Sequence, residues 1–437
     1  MNTKKVINNA TWIIGCKIVQ SLLGLFISMF TARYLGPSNF GLINYASSLV
    51  VFIMPVMQLG LSSTIVQEVI NAPENEGKIM GTSLVMTLFS AIMCIVGIFT
   101  FVSIVNLGET ETILVCSLYS VQLIFQSIEI ISYWFQAKLL SKYTSITMLV
   151  SYFVVSGYKL FLLMTHKSVY WFAVSHWVDY AIIAFTLLYI FTKKSDHKLS
   201  FSWELVGGLF SRSKHYIVSG LMVSVFAQTD RIMLKVLLSD EATGFYSAAM
   251  QCAAISQFIF GAIIDSARPL IFSSKKENES LYKKNLVSTY SIIEYLSLAQ
   301  CVAMVILADF IISILYGADY MSAASILRIS IWYTTFAYLG SVRNIWILAE
   351  GKQKFLWIIN LSGAIANVVL NFFLIPIWGT LGAAIASLCT QIFANIVVSH
   401  MIPQIREVNR YLFAGLNPKN IIVLLNVVKK DILKKGV

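Results

Sequence analysis

Long apolar runs separated by short polar turns set the pattern of the chain. Tyr34 to Gln67 gives 34 residues without a charged side chain, Ile79 to Gly108 gives 30, and Phe355 to Ile405 gives 51. A helix needs about 20 apolar residues to cross the ~30 Å hydrocarbon core of a bilayer. The last run is therefore too long for one crossing. It breaks at Pro376-Ile377-Trp378-Gly379-Thr380, where Pro and Gly end a helix and Trp suits the membrane interface. The same reading predicts about twelve spans, over 7–31, 42–67, 79–105, 111–136, 143–165, 168–191, 214–237, 243–271, 286–315, 324–349, 354–376 and 380–403. Lys4 and Lys5 precede an apolar stretch as in a leader peptide. That stretch runs past 20 residues, holds Lys17 in its middle and lacks a small-residue cleavage site, so it is read as the first span.

Composition turns the pattern into a class. The 437 residues are 57% hydrophobic and 12% charged, with a mean hydropathy of +0.76, whereas a soluble domain carries roughly 25% charged residues. The class is an all-α integral membrane protein. The cysteines at 16, 94, 116, 252, 301 and 389 fall inside spans without CxxC spacing, and are read as small core hydrophobes.

The net charge of +11 would suit a nucleic-acid partner, but the placement of the charges argues otherwise. With the N-terminus inside, 24 of the 32 Lys and Arg residues fall in inside segments, and only Arg33 and Lys167 fall outside. That asymmetry orients membrane proteins and puts both termini in the cytoplasm. The tail places Ile421, Leu424, Leu425, Val428 and Ile432 on one helical face and lysines on the other. This suits an amphipathic helix on an anionic leaflet, as does Trp203 to Phe210; a solvated basic linker is the alternative for each.

A repeat organises the spans. Phe40-Gly41-Leu42-Ile43-Asn44-Tyr45-Ala46-Ser47 and Thr243-Gly244-Phe245-Tyr246-Ser247-Ala248-Ala249 open spans two and eight at an offset of 203 residues. The domains expected are a six-helix lobe over 1–191, a cytoplasmic connector over 192–213, a second six-helix lobe over 214–403 and a basic tail over 404–437. Six spans per half keep the same orientation, so the repeat is parallel, about an axis along the membrane normal.

Charges inside a membrane are expensive and turn toward protein or water. Polar positions at helical spacing extend several of them into stripes: Gln122, Gln126, Glu129, Tyr133 and Gln136 in span four, and Lys17, Ser21, Gly24, Ser28 and Thr31 in span one. Ser224, Gln228, Arg231 and Lys235, with Asp230 beside them, form one in span seven; Asn360, Asn367 and Asn371 in span eleven, and Ser387, Gln391 and Asn395 in span twelve, form others. Helix–helix hydrogen bonds explain one or two stripes; stripes in both halves point to a shared hydrated cavity. Its candidate cations are Lys17, Lys159, Arg231, Arg328 and Arg343. Gln122, Gln126, Glu129, Asp179, Asp230, Asn367 and Gln391 are its candidate polar or ion-coupling groups. Glu129, mid-span on the clearest stripe, is read either as a carrier of a proton or sodium ion, or as the counter-charge of Lys17 or Lys159. Asp265 and Arg268, three apart, are expected to pair. The sequence holds no P-loop and no His/Cys/carboxylate spacing suited to a metal, so neither a cofactor nor a catalytic constellation is expected.

Two motifs carry a family resemblance. Ala32-Arg33-Tyr34-Leu35-Gly36-Pro37 followed by Phe40-Gly41, and Thr229-Asp230-Arg231-Ile232-Met233-Leu234 leading into Gly244-Phe245-Tyr246-Ser247-Ala248-Ala249, resemble the signatures of polysaccharide transporters. These are the O-antigen flippases of the multidrug/oligosaccharidyl-lipid/polysaccharide exporter superfamily. The resemblance implies a MATE-like V of two six-helix bundles in the bacterial inner membrane. It also implies export of undecaprenyl-diphosphate-linked oligosaccharide, including repeat units for lipopolysaccharide, by alternating access through a cationic cavity. The partners it implies are that lipid, the bilayer, and a polymerase and chain-length regulator of the same pathway. A drug/cation antiporter would want an anionic cavity. A peptidoglycan-precursor flippase usually has further spans, and a polymerase or ligase a large external loop. These stand as the alternatives.

Overall fold

The computed structural model describes residues 3–420 and, within them, all side chains except those of 3–14, 17, 18 and 22. The Ile421–Ile432 face expected to be amphipathic lies outside the described residues, as does the side chain of Lys17.

The described chain is helical, without a β-strand. Lipid offers no hydrogen bonds to a peptide group, and a helix satisfies its own. In order, the helices are α1 (Thr3–Met57), α2 (Leu61–Asn71), α3 (Glu76–Val105), α4 (Thr110–Ser120), α5 (Gln122–Ile128), α6 (Ser132–Ala137), α7 (Ser141–Met164), α8 (Val169–Lys194), α9 (Trp203–Leu237), α10 (Asp240–Ala254), α11 (Gln257–Glu277), α12 (Glu279–Tyr316), α13 (Ser322–Ala349), α14 (Leu356–Ile392), α15 (Val398–Met401) and α16 (Val408–Gly415). Among the described residues eight helical stretches are long and apolar enough to cross a membrane, and α10 with α11, bent by 44°, make a ninth. Two of the eight, Val19–Asn71 and Gln353–Met401, are 53 and 49 residues long. Each breaks at a glycine in a conformation closed to other residues: Gly36 (φ 71°, ψ 171°) before Pro37, and Gly379 (φ 58°, ψ −134°) in the turn expected after Pro376. Each therefore supplies two of the expected spans. α13 has the length of a span, and more than half of its residues are buried in protein.

The chain forms two compact units, Met1–Gly244 and Phe245–Val437. In the first, α9 packs along α1 and also meets α2 and α3. One core gathers Tyr45, Met57, Leu123 and Phe172; a second gathers Leu61, Trp134, Leu187 and Phe191. The two repeat-related glycines meet here. A Cβ on Gly41 would run into the Asp240 carbonyl and the Gly244 nitrogen, and one on Gly244 into the Pro37 carbonyl. Beside them the buried Lys235 ammonium lies 2.5 Å from Glu109 and 2.6 Å from Asp240. Glu109 also accepts hydrogen bonds from Thr112 (2.7 Å) and Asn106 (3.3 Å), and Asn106 accepts one from Tyr45 (3.1 Å). Partial burial alone would push the Glu109 carboxyl up; the donors around it, Lys235 first, hold it below the usual carboxylate range.

At the opposite end of α3, Glu76 is buried. It lies 2.7 Å from the Lys138 ammonium and accepts hydrogen bonds from Trp134 Nε1 (3.1 Å) and Ser195 Oγ (2.9 Å). Ser200 N donates to the Gly77 carbonyl (3.1 Å) and Ser202 N to Thr82 Oγ1 (3.0 Å). The segment between α8 and α9 is thus strapped along the start of α3. Residues 203–213 continue into span seven as one helix, with Arg212 paired to Glu68.

The second unit packs Phe260 flat on Tyr338 (centroids 4.2 Å apart), with Tyr282, Ile293, Trp346 and Leu412 in the same core. Asp265 and Arg268 pair at 3.1 Å, as their spacing predicts. Glu350, which follows α13, meets Lys275 at 2.7 Å and the Tyr282 hydroxyl at 2.9 Å. These donors hold its carboxyl below the usual range despite its burial. Five cysteines are buried; Cys389 is exposed, so it is not part of the core as expected.

Candidate functional site

Span four is built from pieces: α4, α5, a 3₁₀ turn over Glu129–Ile131, and α6. Such irregular backbone at membrane depth is tolerated where protein or water covers it. The pieces present the polar stripe toward α8, which packs on both α4 and α5. Gln122 and Gln126 are buried, while Glu129, Lys159, His176 and Asp179 are half-buried. Five candidates from three spans therefore share one region of the first unit.

Hydrogen bonds order that region. The Tyr119 hydroxyl sits 3.3 Å from His176 Nδ1, with the two rings 4.6 Å apart, and His176 Nε2 sits 3.5 Å from the Lys159 ammonium. Tyr119 is also hydrogen-bonded to Ser47 and Gln122. Ser151 Oγ donates to Asp179 Oδ1 at 2.5 Å, one turn along α8 from His176. Lys159 feels the charge of Asp179 but forms no ion pair with it. The electrostatic neighbour of Glu129 is likewise Asp179, so Glu129 does not neutralise Lys159. Glu129 lines a cavity of about 30 Å³ with Gln58, Thr87, Gln126 and Tyr133, room for about one or two waters. This region can offer an incompletely neutralised cation near Asp179, and a second carboxylate, Glu129, that feels Asp179 in turn.

The other candidates have partners of their own. Arg231 donates to Gln228 at 3.3 Å, and Asp230 beside it is buried. In the second unit Arg343 is buried, with Nη1 donating to the Ala394 carbonyl (3.1 Å) and Nη2 to Asn344 Oδ1 (2.8 Å). Ala394 lies in a π-helical turn over Phe393–Val397. The same turn is tied by Asn395, which donates to the Phe336 carbonyl (3.0 Å) and to Gln391 (2.6 Å), and by Asn409, which donates to the Ile396 carbonyl (2.9 Å). Asn367 and Asn371 are fully buried one turn apart on α14. Arg328 pairs with Asp309 at 2.5 Å on exposed positions of α13 and α12.

Sequence reasoning passed over Asp309, although it lies inside span nine. It also passed over Tyr119, which stands three residues before Gln122 and so heads the same stripe. The sequence places His176 and Asp179 on one face of span six, able to bind a proton or to hydrogen-bond in the interior; that His176 meets Tyr119 and Lys159 needed the fold to bring α8 against α4.

Residues 6–275 match the model of the family described as polysaccharide biosynthesis protein. The chain belongs to that family. The chain is similar to a putative O-antigen transporter of Shigella flexneri, 21% identical over 87% of this chain and 94% of that protein. It is similar to the capsular polysaccharide biosynthesis protein CapF of Staphylococcus aureus, 22% identical over 90% and 98%. An uncharacterized membrane protein of Methanocaldococcus jannaschii is 27% identical over 67% of this chain, a match that spans 58% of the archaeal protein. Among solved structures, the lipid II flippase MurJ in an inward closed conformation superposes with a TM-score of 0.73 at 14% identity, covering 95% of this chain and 92% of that one. An inward-facing MATE multidrug transporter gives 0.65 at 13%, covering 89% and 96%. The fold is the MATE-like all-α membrane transporter fold. Relatives are named as a putative transporter and a probable flippase, and this family member is a multi-pass membrane protein.

Proposed function

We propose that this transporter flips an undecaprenyl-diphosphate-linked oligosaccharide, the repeat unit of an O-antigen or other surface polysaccharide, from the cytoplasmic to the outer leaflet of the bacterial inner membrane. The observation that carries the reading is Lys159, a half-buried cation inside an apolar helical unit that the His176 imidazole approaches and that no carboxylate among the described residues pairs. A diphosphate that leaves water needs a cation not already neutralised. The names of the O-antigen transporter, CapF and a probable flippase AglR of Haloferax volcanii support a lipid-linked sugar as cargo. The repeat supports alternating access between lobes 1–191 and 214–403 joined by 192–213. The loop charge asymmetry supports cytoplasmic termini. Lys17 and Arg231 are further cations for the diphosphate. Glu129 and Asp179, two carboxylates close enough to interact, are suited to take up and release a proton or sodium ion during the cycle. A polymerase and a chain-length regulator would consume the product.

Proteoliposomes loaded with a fluorescent undecaprenyl-diphosphate disaccharide test the reading. The probe should reach the opposite leaflet with the protein present, while a labelled phospholipid stays. Transport of an organic cation dye without movement of the diphosphate lipid would replace this reading with drug/cation antiport.

A further inference from the structure

The second unit holds a carboxylate that the proposed transport cycle does not use. Glu294 lies on α12, buried to 5% exposure, and neither of its side-chain oxygens has a hydrogen-bond partner. What covers it is α16. A Cβ on Gly415 would meet Glu294 Oε2 at 2.5 Å and Tyr290 Cβ at 2.9 Å, so glycine is the residue that lets α16 lie directly over the carboxyl. The cover is pinned on both sides. Ser291 Oγ donates to the Gly415 carbonyl at 2.6 Å and the Tyr295 hydroxyl to the Leu416 carbonyl at 2.7 Å. Asn409, near the start of α16, holds the Ile396 carbonyl at 2.9 Å.

Among the described residues the surroundings supply no counter-charge. On α12 itself the nearest titratable group is Tyr290, one turn away, whose buried hydroxyl also lacks a partner. From α13 comes Arg343, spent on the Ala394 carbonyl and Asn344. On α16, Tyr411 donates to Glu407, and Arg410 is exposed. α11 meets α12 near its start, where Lys275 engages Glu279 and Glu350. Asp319 and Tyr320 lie past the far end of α12, beside Tyr316. Among the described residues none of these pairs with Glu294.

An ionised carboxylate enclosed this way would cost several kcal/mol, whereas a neutral carboxyl fits. A metal ion needs several oxygen ligands and space, and Gly415 occupies the space. We infer that Glu294 is a proton-binding site read by α16: the proton-bearing carboxyl lets α16 dock, and loss of the proton releases it. α16 immediately precedes the lysine-rich tail, so the proton would decide whether the start of that tail is held against the second unit. The ligand is a proton, and the readout is the position of a C-terminal helix, independent of what the transporter carries.

Hydrogen exchange of residues 408–416 in the full-length protein in nanodiscs tests this without any transport assay. After correction for intrinsic rates, wild type should be protected at pH 6 and lose at least tenfold of that protection at pH 9. Glu294→Gln, which keeps the shape and stays neutral, should be protected equally at both. Tyr295→Phe should weaken protection at pH 6 but keep the pH response. Protection of wild type that does not change with pH, or a response that survives in Glu294→Gln, would overturn the inference. So would protection restored at pH 9 by sodium but not by choline, which would make the site one for a metal ion.

Discussion

Both units bury polar and cationic side chains at membrane depth, but they use them differently. In the second unit the donors around the π-helical turn reach main-chain carbonyls, besides the contacts of Arg343 with Asn344 and of Asn395 with Gln391. Arg343 is committed to Ala394, Asn395 to Phe336 and Asn409 to Ile396, all at or around the π-helical turn. A π turn breaks the regular ladder and leaves carbonyls without their helical donors. Arg343 and Asn409 donate to carbonyls of that turn, and Asn395 ties it to α13. In the first unit the polar groups end on one another: Tyr119 on His176, His176 on Lys159, Ser151 on Asp179. Of these only Ser151 also reaches a main-chain carbonyl, that of Asp179 (2.9 Å), and a cation remains incompletely neutralised. A mid-membrane charge is therefore not by itself a functional sign; what its donors touch decides.

The comparison predicts its largest effect at Lys159. Lys159→Ala should leave the protein folded and reduce flipping by tens- to thousands-fold, the consequence of about 2–5 kcal/mol when one partner of a desolvated charge contact is removed. Lys159→Arg should restore part of the activity. Liposome flipping at matched protein levels measures both, and full activity of the alanine variant would remove Lys159 from the site. Arg343→Leu should do the reverse. It orphans the Ala394 carbonyl at a cost of about 1–3 kcal/mol, visible as a melting temperature lowered by several degrees while the folded protein still transports. An unchanged melting temperature would mean that the π turn does not need it.

The smallest effect concerns pH. The folded state holds the Glu109 carboxyl below its unfolded value, as it does Glu350. Each therefore contributes stability that is full above the ordinary carboxylate range and lost as the pH falls through the lowered folded value. Glu109 is nearly half exposed, so its share is small. Thermal melts should show a downward slope on acidification below about pH 5 that is shallower in Glu109→Gln. Parallel slopes would mean that its pairing with Lys235 is the same in both states.

Much of this was legible in the residues themselves. The breaks at Gly36 and Gly379 follow from Pro and Gly beside them, and the span-four stripe named Gln122, Gln126 and Glu129 directly. The repeat aligned Gly41 with Gly244, but their contact needs three dimensions. Arg343 and Lys159 look alike in sequence, since both are single cations in apolar helices. Only the π turn opposite one, and the imidazole opposite the other, tells them apart. Arg328 was opaque for a different reason: its partner Asp309 lies 19 residues away on another helix.

Binding of sugar-free undecaprenyl diphosphate to the purified protein tests the central claim most directly. Affinity should fall at least tenfold in Lys159→Gln and stay within about twofold of wild type in Arg343→Gln, measured below the melting temperature of the weaker variant. Equal affinity in wild type and Lys159→Gln, or a greater loss in Arg343→Gln, would contradict the assignment of the site to the first unit.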